Sequence, residues 1–311
     1  MVQKNNIKPK IIIICGPTAS GKTALAVEVA KRLNSEVISA DSMYIYKGLN
    51  VGTAKPTEFE MQGIKHHLID IINPDEAFSV SYYKRTAEPI IKSLIQDNKI
   101  PIICGGTGFY INSILYDLSY GNSNENLEVR EKYKELAEKH GNLFVYNKLL
   151  EVDRDSAVKL HYNDIKRVIR ALEIFESGVK KSQLNDEFIP KYDYKAFLIN
   201  HDRTILYERI NKRVDIMIKD GLINEVKSLY DEGIDENCQC MQAIGYKEIL
   251  EFIKGGISLD DAIENIKLNT RHYAKRQLTF FKKMPDLKYL TPTDLNSLSS
   301  EIIKEITNGW Y

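Results

Sequence analysis

The residues Gly16, Pro17, Thr18, Ala19, Ser20, Gly21, Lys22 and Thr23 have the types and spacing to hold an anion. Glycines let the backbone curl until several N–H groups converge on phosphate oxygens, and a helix starting at the lysine adds the positive end of its dipole. Lys22 then reaches over the anion, and Thr23 is placed to ligate a Mg²⁺ shared with it. An ordinary glycine turn is the competing reading, and the flanking residues decide against it. The apolar run Ile11-Ile12-Ile13-Ile14-Cys15 reads as a buried strand before the loop, while Ala24, Leu25, Val27, Val29 and Leu33 recur at helical spacing after it. The loop specifies a polyphosphate; it does not specify ATP.

Asp41 is the next group with chemistry. It follows the short strand pattern Glu36-Val37-Ile38-Ser39-Ala40, and in open α/β sheets strand ends line the ligand crevice. Asp41 is therefore expected to face the phosphate loop, as a base or a Mg²⁺-linked group, against the alternative of a turn cap. Ser42, Met43, Tyr44 and Tyr46 accompany it, and a polar excursion from Gly48 to Pro56 follows, of the kind that is functional more often than idle. Later the apolar run Ile100–Cys104 ends on Gly105-Gly106-Thr107-Gly108, where a P-loop NTPase usually carries an Asp for Mg²⁺. Thr107 there is either a working side chain or part of a tight turn. Arg209 and Arg213 stand at i and i+4, as a solvated helix face or as the extra cation a diphosphate beside Lys22 needs. From Asn265 to Lys283 there is no acid, only Lys267, Arg271, Lys275, Arg276, Lys282 and Lys283 with Tyr273, Gln277, Thr279, Phe280 and Phe281 between them. Charge of one sign beside aromatics and an amide suits RNA, since it neutralises phosphates and offers stacking and edge contacts to an unpaired base.

The elements that must position these groups read as α/β: a P-loop NTPase-like parallel sheet core flanked by helices, with a mostly helical insertion domain and a helical C-terminal part. A third strand is expected at His67–Ile71, and a helix capped by Ser79 to about Asn98. Residues 1–117 form the first part of the core. Residues 118–190 lose the strand pattern and read as short charged helices at Leu127–His140, Leu143–Glu151 and Asp164–Ser177. Residues 191–311 complete the core: a last strand at Tyr194–Asn200, a long helix from Asp202 to Gly221, and a remainder that is helical.

The chain has 311 residues and balanced charge, 43 basic against 43 acidic, so any positive surface for nucleic acid must be local. Four cysteines fit no disulfide framework or zinc spacing, and the histidines are assigned no metal. The polar N-terminus offers no signal peptide, so the expected location is the cytoplasm.

Taken together, Gly16–Thr23, the segment Ala40–Gly48, Gly52-Thr53-Ala54-Lys55-Pro56, Gly105–Gly108, Gly245-Tyr246-Lys247-Glu248 and Ala274-Lys275-Arg276-Gln277 resemble the bacterial tRNA dimethylallyltransferases over roughly residues 10–290. The resemblance implies transfer of a dimethylallyl group from dimethylallyl diphosphate to N6 of adenosine 37 in tRNA, with Mg²⁺ as cofactor and Asp41 as general base. It implies that Thr18 lies where donor and adenine meet, and that Arg213 contacts the diphosphate. Asp41, Ser42, Met43 and Tyr44 would sit near the base, with Thr107 and Arg130 at the channel. Lys166, Arg167 and Arg170 of the insertion, Gly245, Tyr246 and Lys247, and Lys275, Arg276, Gln277 and Lys282 would contact tRNA at its anticodon stem-loop. A monomer with no membrane association is expected. An apolar slot for the prenyl group is required, but no residues are identified for its walls.

Overall fold

Five consecutive apolar residues cannot alternate between core and water, so Ile11–Cys15 must be covered on both faces. In the computed structural model, which describes residues 8–118, 126–184 and 187–310, strand β1 (Lys10–Cys15) lies inside a six-stranded sheet with all five of those residues fully buried. After it come α1 (Lys22–Leu33), β2 (Val37–Ser39), α2 (Glu58–Met61), β3 (His66–His67), α3 (Val80–Gln96), β4 (Ile102–Gly105) and α4 (Gly108–Leu115). Next are β5 (Tyr116–Asp117), α5 (Leu127–His140), α6 (Asn142–Val152), α7 (Arg154–Ala157), α8 (Ile165–Glu176) and β6 (Glu187–Pro190). They are followed by β7 (Asp193–Ile199), α9 (Arg203–Lys219), α10 (Leu222–Asp231), α11 (Tyr246–Ile253), α12 (Leu259–Phe281), β8 (Leu287–Leu290) and α13 (Leu295–Trp310). The chain divides into two compact units, residues 1–115 with 190–311, and residues 116–189.

In the larger unit the sheet order is β3-β2-β4-β1-β7-β8, with every paired strand parallel. Register decides where the site falls. Cys15 pairs with Gly105 and Ser39 with Cys104, so β1, β2 and β4 end together and release Gly16, Ala40 and Gly106 at one edge. That is the carboxyl edge at which open α/β sheets bind ligands. On one face Leu25, Ala26 and Val29 of α1 pack with Leu298, Ile302 and Ile306 of α13 over Ile12, Ile14 and Phe197.

Two strand expectations need correction. The strand expected at His67–Ile71 stops after His67, because Leu68 and Asp70 have φ of 63° and 54°, which no strand tolerates. Asp70 is turned there toward the buried Lys55, whose ammonium it meets at 2.5 Å. The region after residue 221 is not wholly helical either, since β8 pairs with β7 and places Leu290 beside Ile199 at the sheet edge. The strand lies between Pro285 and Pro292, too short a run for its period to register.

The smaller unit has its own core of Tyr133, Val145, Leu149, Ala157, Val168, Ile169, Ala171 and Leu172. Asp153, 2% exposed, staples this unit: one carboxylate oxygen accepts the Ser156 amide at 3.2 Å and the other the Ser182 amide at 3.0 Å. Burial alone would raise its pKa, but the bonds from Ser156 and Ser182 prevail and hold it at about 2. A carboxyl depressed from 3.8 to about 2 contributes stability that is fully present above its unfolded pKa and is lost as pH falls through the folded one. Asp153→Asn is expected to cost about 2 kcal/mol at pH 7, with the gap to wild type closing between pH 4 and 2 in urea unfolding followed by circular dichroism. A gap independent of pH would remove the charge from the account.

Candidate active site

At the end of β1 the chain curls through three left-handed residues, Gly16 (φ 140°), Ala19 (φ 61°) and Gly21 (φ 93°), before α1 begins at Lys22. Such a sequence of conformations turns backbone N–H groups toward one concavity. The curl is held from behind by two other segments. Arg209 donates from Nε to the Ala19 carbonyl at 2.8 Å, and His201 Nε2 lies 2.8 Å from the Ser20 carbonyl. Ser20 is 2% exposed, and its hydroxyl has no hydrogen-bond partner. A buried orphan hydroxyl in an anion cradle is a group placed for a ligand. Lys22 leans over the loop with Nζ 3.2 Å from the Pro17 carbonyl. Burial lowers its pKa, Arg213 pushes the same way, and Asp41 opposes them. An anion delivered to this ammonium would relieve that strain.

Asp41 leaves β2 beside this cradle, and its Oδ1 accepts the Met43 amide at 2.9 Å. The turn after β4 closes on the same segment: Thr107 N donates to the Ala40 carbonyl at 3.0 Å, and Thr107 Oγ1 accepts the Ser42 amide at 3.1 Å. Gly105 is required by this approach, since a Cβ there would lie 2.2 Å from the Ala40 carbonyl oxygen. Thr107 thereby has a structural task in holding Asp41's segment. Tyr273 of α12 lines the smaller of two cavities at the site, and burial with the nearby Asp41 pushes its hydroxyl up to about 12.

Two cavities meet here. The larger, about 860 Å³, is lined by the cations Lys22, Lys55, Arg209 and Arg213 and the acids Asp41, Glu60 and Asp220, with Thr18 and Thr23 among its polar residues. The smaller, about 310 Å³, shares Thr18, Lys22, Asp41 and Arg213 with it and continues along Ile210, Val214, Met217, Ile244, Tyr246 and Ile266. One end of the site is thus charged and the other apolar. The apolar walls come from α9, α12 and the segment ahead of α11. No single stretch of sequence contains them. Arg213 stands at the junction, with NH1 3.5 Å from Thr18 Oγ1 and NH2 donating to the Ala54 carbonyl at 3.1 Å. Arg209, paired with Arg213 at i and i+4, also lines the larger cavity.

The structure brings together Thr18, Lys22, Thr23, Asp41, Ser42, Met43, Tyr44, Thr107 and Arg213 in the larger unit, all in the cavity linings or bonded to them. Lys275, Arg276 and Lys282 are exposed on or at the end of α12, and Lys247 is exposed on α11. Gln277, Gly245 and Tyr246 are buried, and Gln277 and Tyr246 line the smaller cavity. Gln277 accepts the Thr18 amide at 3.0 Å and donates to the Gly106 carbonyl at 2.9 Å, which ties α12 to the phosphate loop. Gly245, at φ 100°, opens α11 with its amide on Glu248 at 2.8 Å. In the smaller unit Lys166 and Arg167 are exposed, while Arg130 and Arg170 both pair with the fully buried Glu173 carboxylate, at 3.0 and 2.6 Å.

Fold and site define a phosphate-loop α/β protein in which a charged cleft opens onto an apolar pocket. The family model described as IPP transferase matches residues 44–284, and the chain belongs to that family. A tRNA dimethylallyltransferase of Thermoanaerobacter sp. (strain X514) is 50% identical over 95% of this chain and 96% of its own length. The crystal structure of a full-length tRNA isopentenylpyrophosphate transferase from Bacillus halodurans matches with a TM-score of 0.73 at 40% identity, over 97% of this chain and 96% of the other. A eukaryotic dimethylallyltransferase acting on tRNA matches with a TM-score of 0.82 at 31% identity, over 96% of this chain and 79% of the other.

Removing the Gln277 amide would deprive the half-buried Thr18 N–H and the buried Gly106 carbonyl of their bonds to α12. Gln277→Ala is expected to lower stability by about 2 kcal/mol in urea unfolding. An unchanged midpoint would show that the amide holds nothing.

Proposed function

We propose that the chain transfers a dimethylallyl group from dimethylallyl diphosphate to N6 of adenosine 37 in tRNA. The observation that carries this reading is the junction of a charged cleft with an apolar pocket at Thr18, Lys22, Asp41 and Arg213, which suits a diphosphate head and a five-carbon tail. The loop amides, Lys22, Arg209 and Arg213 take the diphosphate, and Ile210, Val214, Met217 and Ile244 wall the prenyl group. The adenine amine attacks C1 of the allyl group, the C1–O bond breaks, and its electron pair leaves on the diphosphate. Because the amine's lone pair is delocalised into the ring, it becomes a competent nucleophile as its proton passes to the Asp41 carboxylate. Lys22 and Arg213 stabilise the charge gathering on the leaving group.

Mg²⁺ fits the residues present. Thr23 and Asp41 line the same cleft with hard oxygen donors, the choice of that ion, and it usually completes its shell with water and substrate phosphates. Thr23 would hold it, and it would supply further neutralisation of the diphosphate. No cluster of three or more His, Cys, Asp or Glu suited to a metal occurs among the described residues.

The anticodon stem-loop is gripped by Lys275, Arg276 and Lys282, exposed cations without a nearby acid in their stretch of chain, and by Lys166 and Arg167. The target adenosine leaves its stack to reach Asp41. Among the described residues no helix is long and apolar enough to cross a membrane, and the cytoplasm, where tRNA is processed, is the proposed location.

The reading is tested by offering labelled dimethylallyl diphosphate and Mg²⁺ with unmodified tRNA in one tube and AMP or ATP in another. Label on tRNA alone is expected; label on the free nucleotide would make the chain a nucleotide prenyltransferase. Asp41→Ala is expected to lower turnover by roughly two to four orders of magnitude with tRNA affinity little changed. An unaltered rate would exclude Asp41 as the base. Replacing Lys275 and Arg276 together by alanine is expected to weaken tRNA binding and flatten its dependence on salt, because fewer counterions are released. If affinity and slope both stay at wild type, the RNA surface lies elsewhere.

A further inference from the structure

The excursion between β2 and α2 supplies walls to both cavities: Asn50, Val51, Ala54 and Lys55 to the larger, Gly52 to the smaller, Thr53 to both. Its internal bonds, such as Thr53 Oγ1 to the Leu49 carbonyl at 2.8 Å and Lys55 N to the Asn50 carbonyl at 3.0 Å, give it a shape but not a position. The buried Lys55 ammonium ties the excursion's far end to the Tyr46 carbonyl at 2.7 Å, and residues 50–52 are held by one carboxylate. Glu225 of α10 accepts the amides of Asn50 at 2.9 Å and Val51 at 2.8 Å on Oε2, and that of Gly52 at 3.0 Å on Oε1. The Tyr246 hydroxyl donates to Oε1 as well, at 2.5 Å. Three consecutive amides aimed at one anion form a nest, and here the anion is the protein's own side chain.

The fit leaves no slack. A Cβ on Gly52 would stand 2.6 Å from the Tyr246 ring and 2.7 Å from Leu222 Cδ1, so the loop lies against α10 and α11 only because that residue is glycine. Two residues on, the Ala54 carbonyl accepts from Arg213 at 3.1 Å and from the Tyr44 hydroxyl at 3.0 Å. The loop that Glu225 seats is therefore the loop that aims Arg213 at the junction of the two cavities. We infer that Glu225 is a positioning residue for the donor's diphosphate, acting through the 50–54 backbone and Arg213 without touching the ligand itself. The inference rests on the reading that the charged cleft takes that diphosphate.

The test uses the full chain and inorganic diphosphate with Mg²⁺, measured by calorimetry, alongside hydrogen exchange at residues 50–52, tRNA affinity and the unfolding midpoint. Glu225→Gln is expected to weaken diphosphate binding about tenfold and to speed exchange of the three amides, with tRNA affinity unchanged. Gly52→Ala, which strikes the same contact from the loop side, is expected to do likewise, and the double variant to be no worse than either single one. Faster exchange or a lower midpoint with diphosphate affinity at the wild-type level would overturn the inference and leave Glu225 a purely structural residue. Equal losses for diphosphate and tRNA would overturn it too. Wild type that binds diphosphate yet transfers no prenyl group would instead defeat the proposed activity and leave the role of Glu225 standing, and wild type that binds no diphosphate would defeat both.

Discussion

The Lys22 ammonium sits half-buried where the two cavities meet, and the rest of the site depends on keeping it there. Burial lowers its pKa, the Pro17 carbonyl accepts a hydrogen bond from it at 3.2 Å, and Asp41 and Arg213 set the field around it from opposite signs. The backbone that surrounds it needs three left-handed residues in six positions, a conformation that would relax if nothing braced it. The braces come from far along the chain: His201 on Ser20, Arg209 on Ala19 and Gln277 on Thr18. The loop is thus held from outside by an arginine, a histidine and an amide.

That bracing gives α12 two jobs on two faces. Its exposed face carries Lys275 and Arg276, while its buried face presents Gln277 to the loop and to Gly106. Phe280 packs over Gly108 so closely that a Cβ there would meet its ring at 2.1 Å. The helix that exposes these two cations is therefore the same element that packs against the phosphate loop.

The same division of labour appears in the glycines of the site. Gly16 and Gly21 serve backbone rotation, whereas Gly52, Gly105, Gly106 and Gly108 serve close approach, each with a neighbouring group within 2.7 Å of where a Cβ would stand. The first kind shapes the cradle and the second lets four separate segments converge on it.

Much was legible from order along the chain. A quadruple isoleucine run before a glycine loop and a helical pattern after it are local signals, and local physics suffices for strand, curl and helix. Asp41 at a strand end, the insertion of charged helices and the acid-free stretch of α12 were legible for the same reason, and six ordered motifs carried the family. What only the tertiary structure decided is which face of each element meets which. Gln277 looks like a base reader among lysines and arginines, but its position on the inward side of α12 depends on where that helix crosses the loop. The strand at 287–290 forms because β7 offers it an edge, not because four residues have a period. The apolar walls at Ile210, Val214, Met217, Ile244 and Ile266 come from segments brought together by packing, and Glu225 meets Asn50, Val51 and Gly52 across more than 170 positions. Contacts of that separation leave no trace in periodicity, since each residue's neighbours in sequence say nothing about its partner in space.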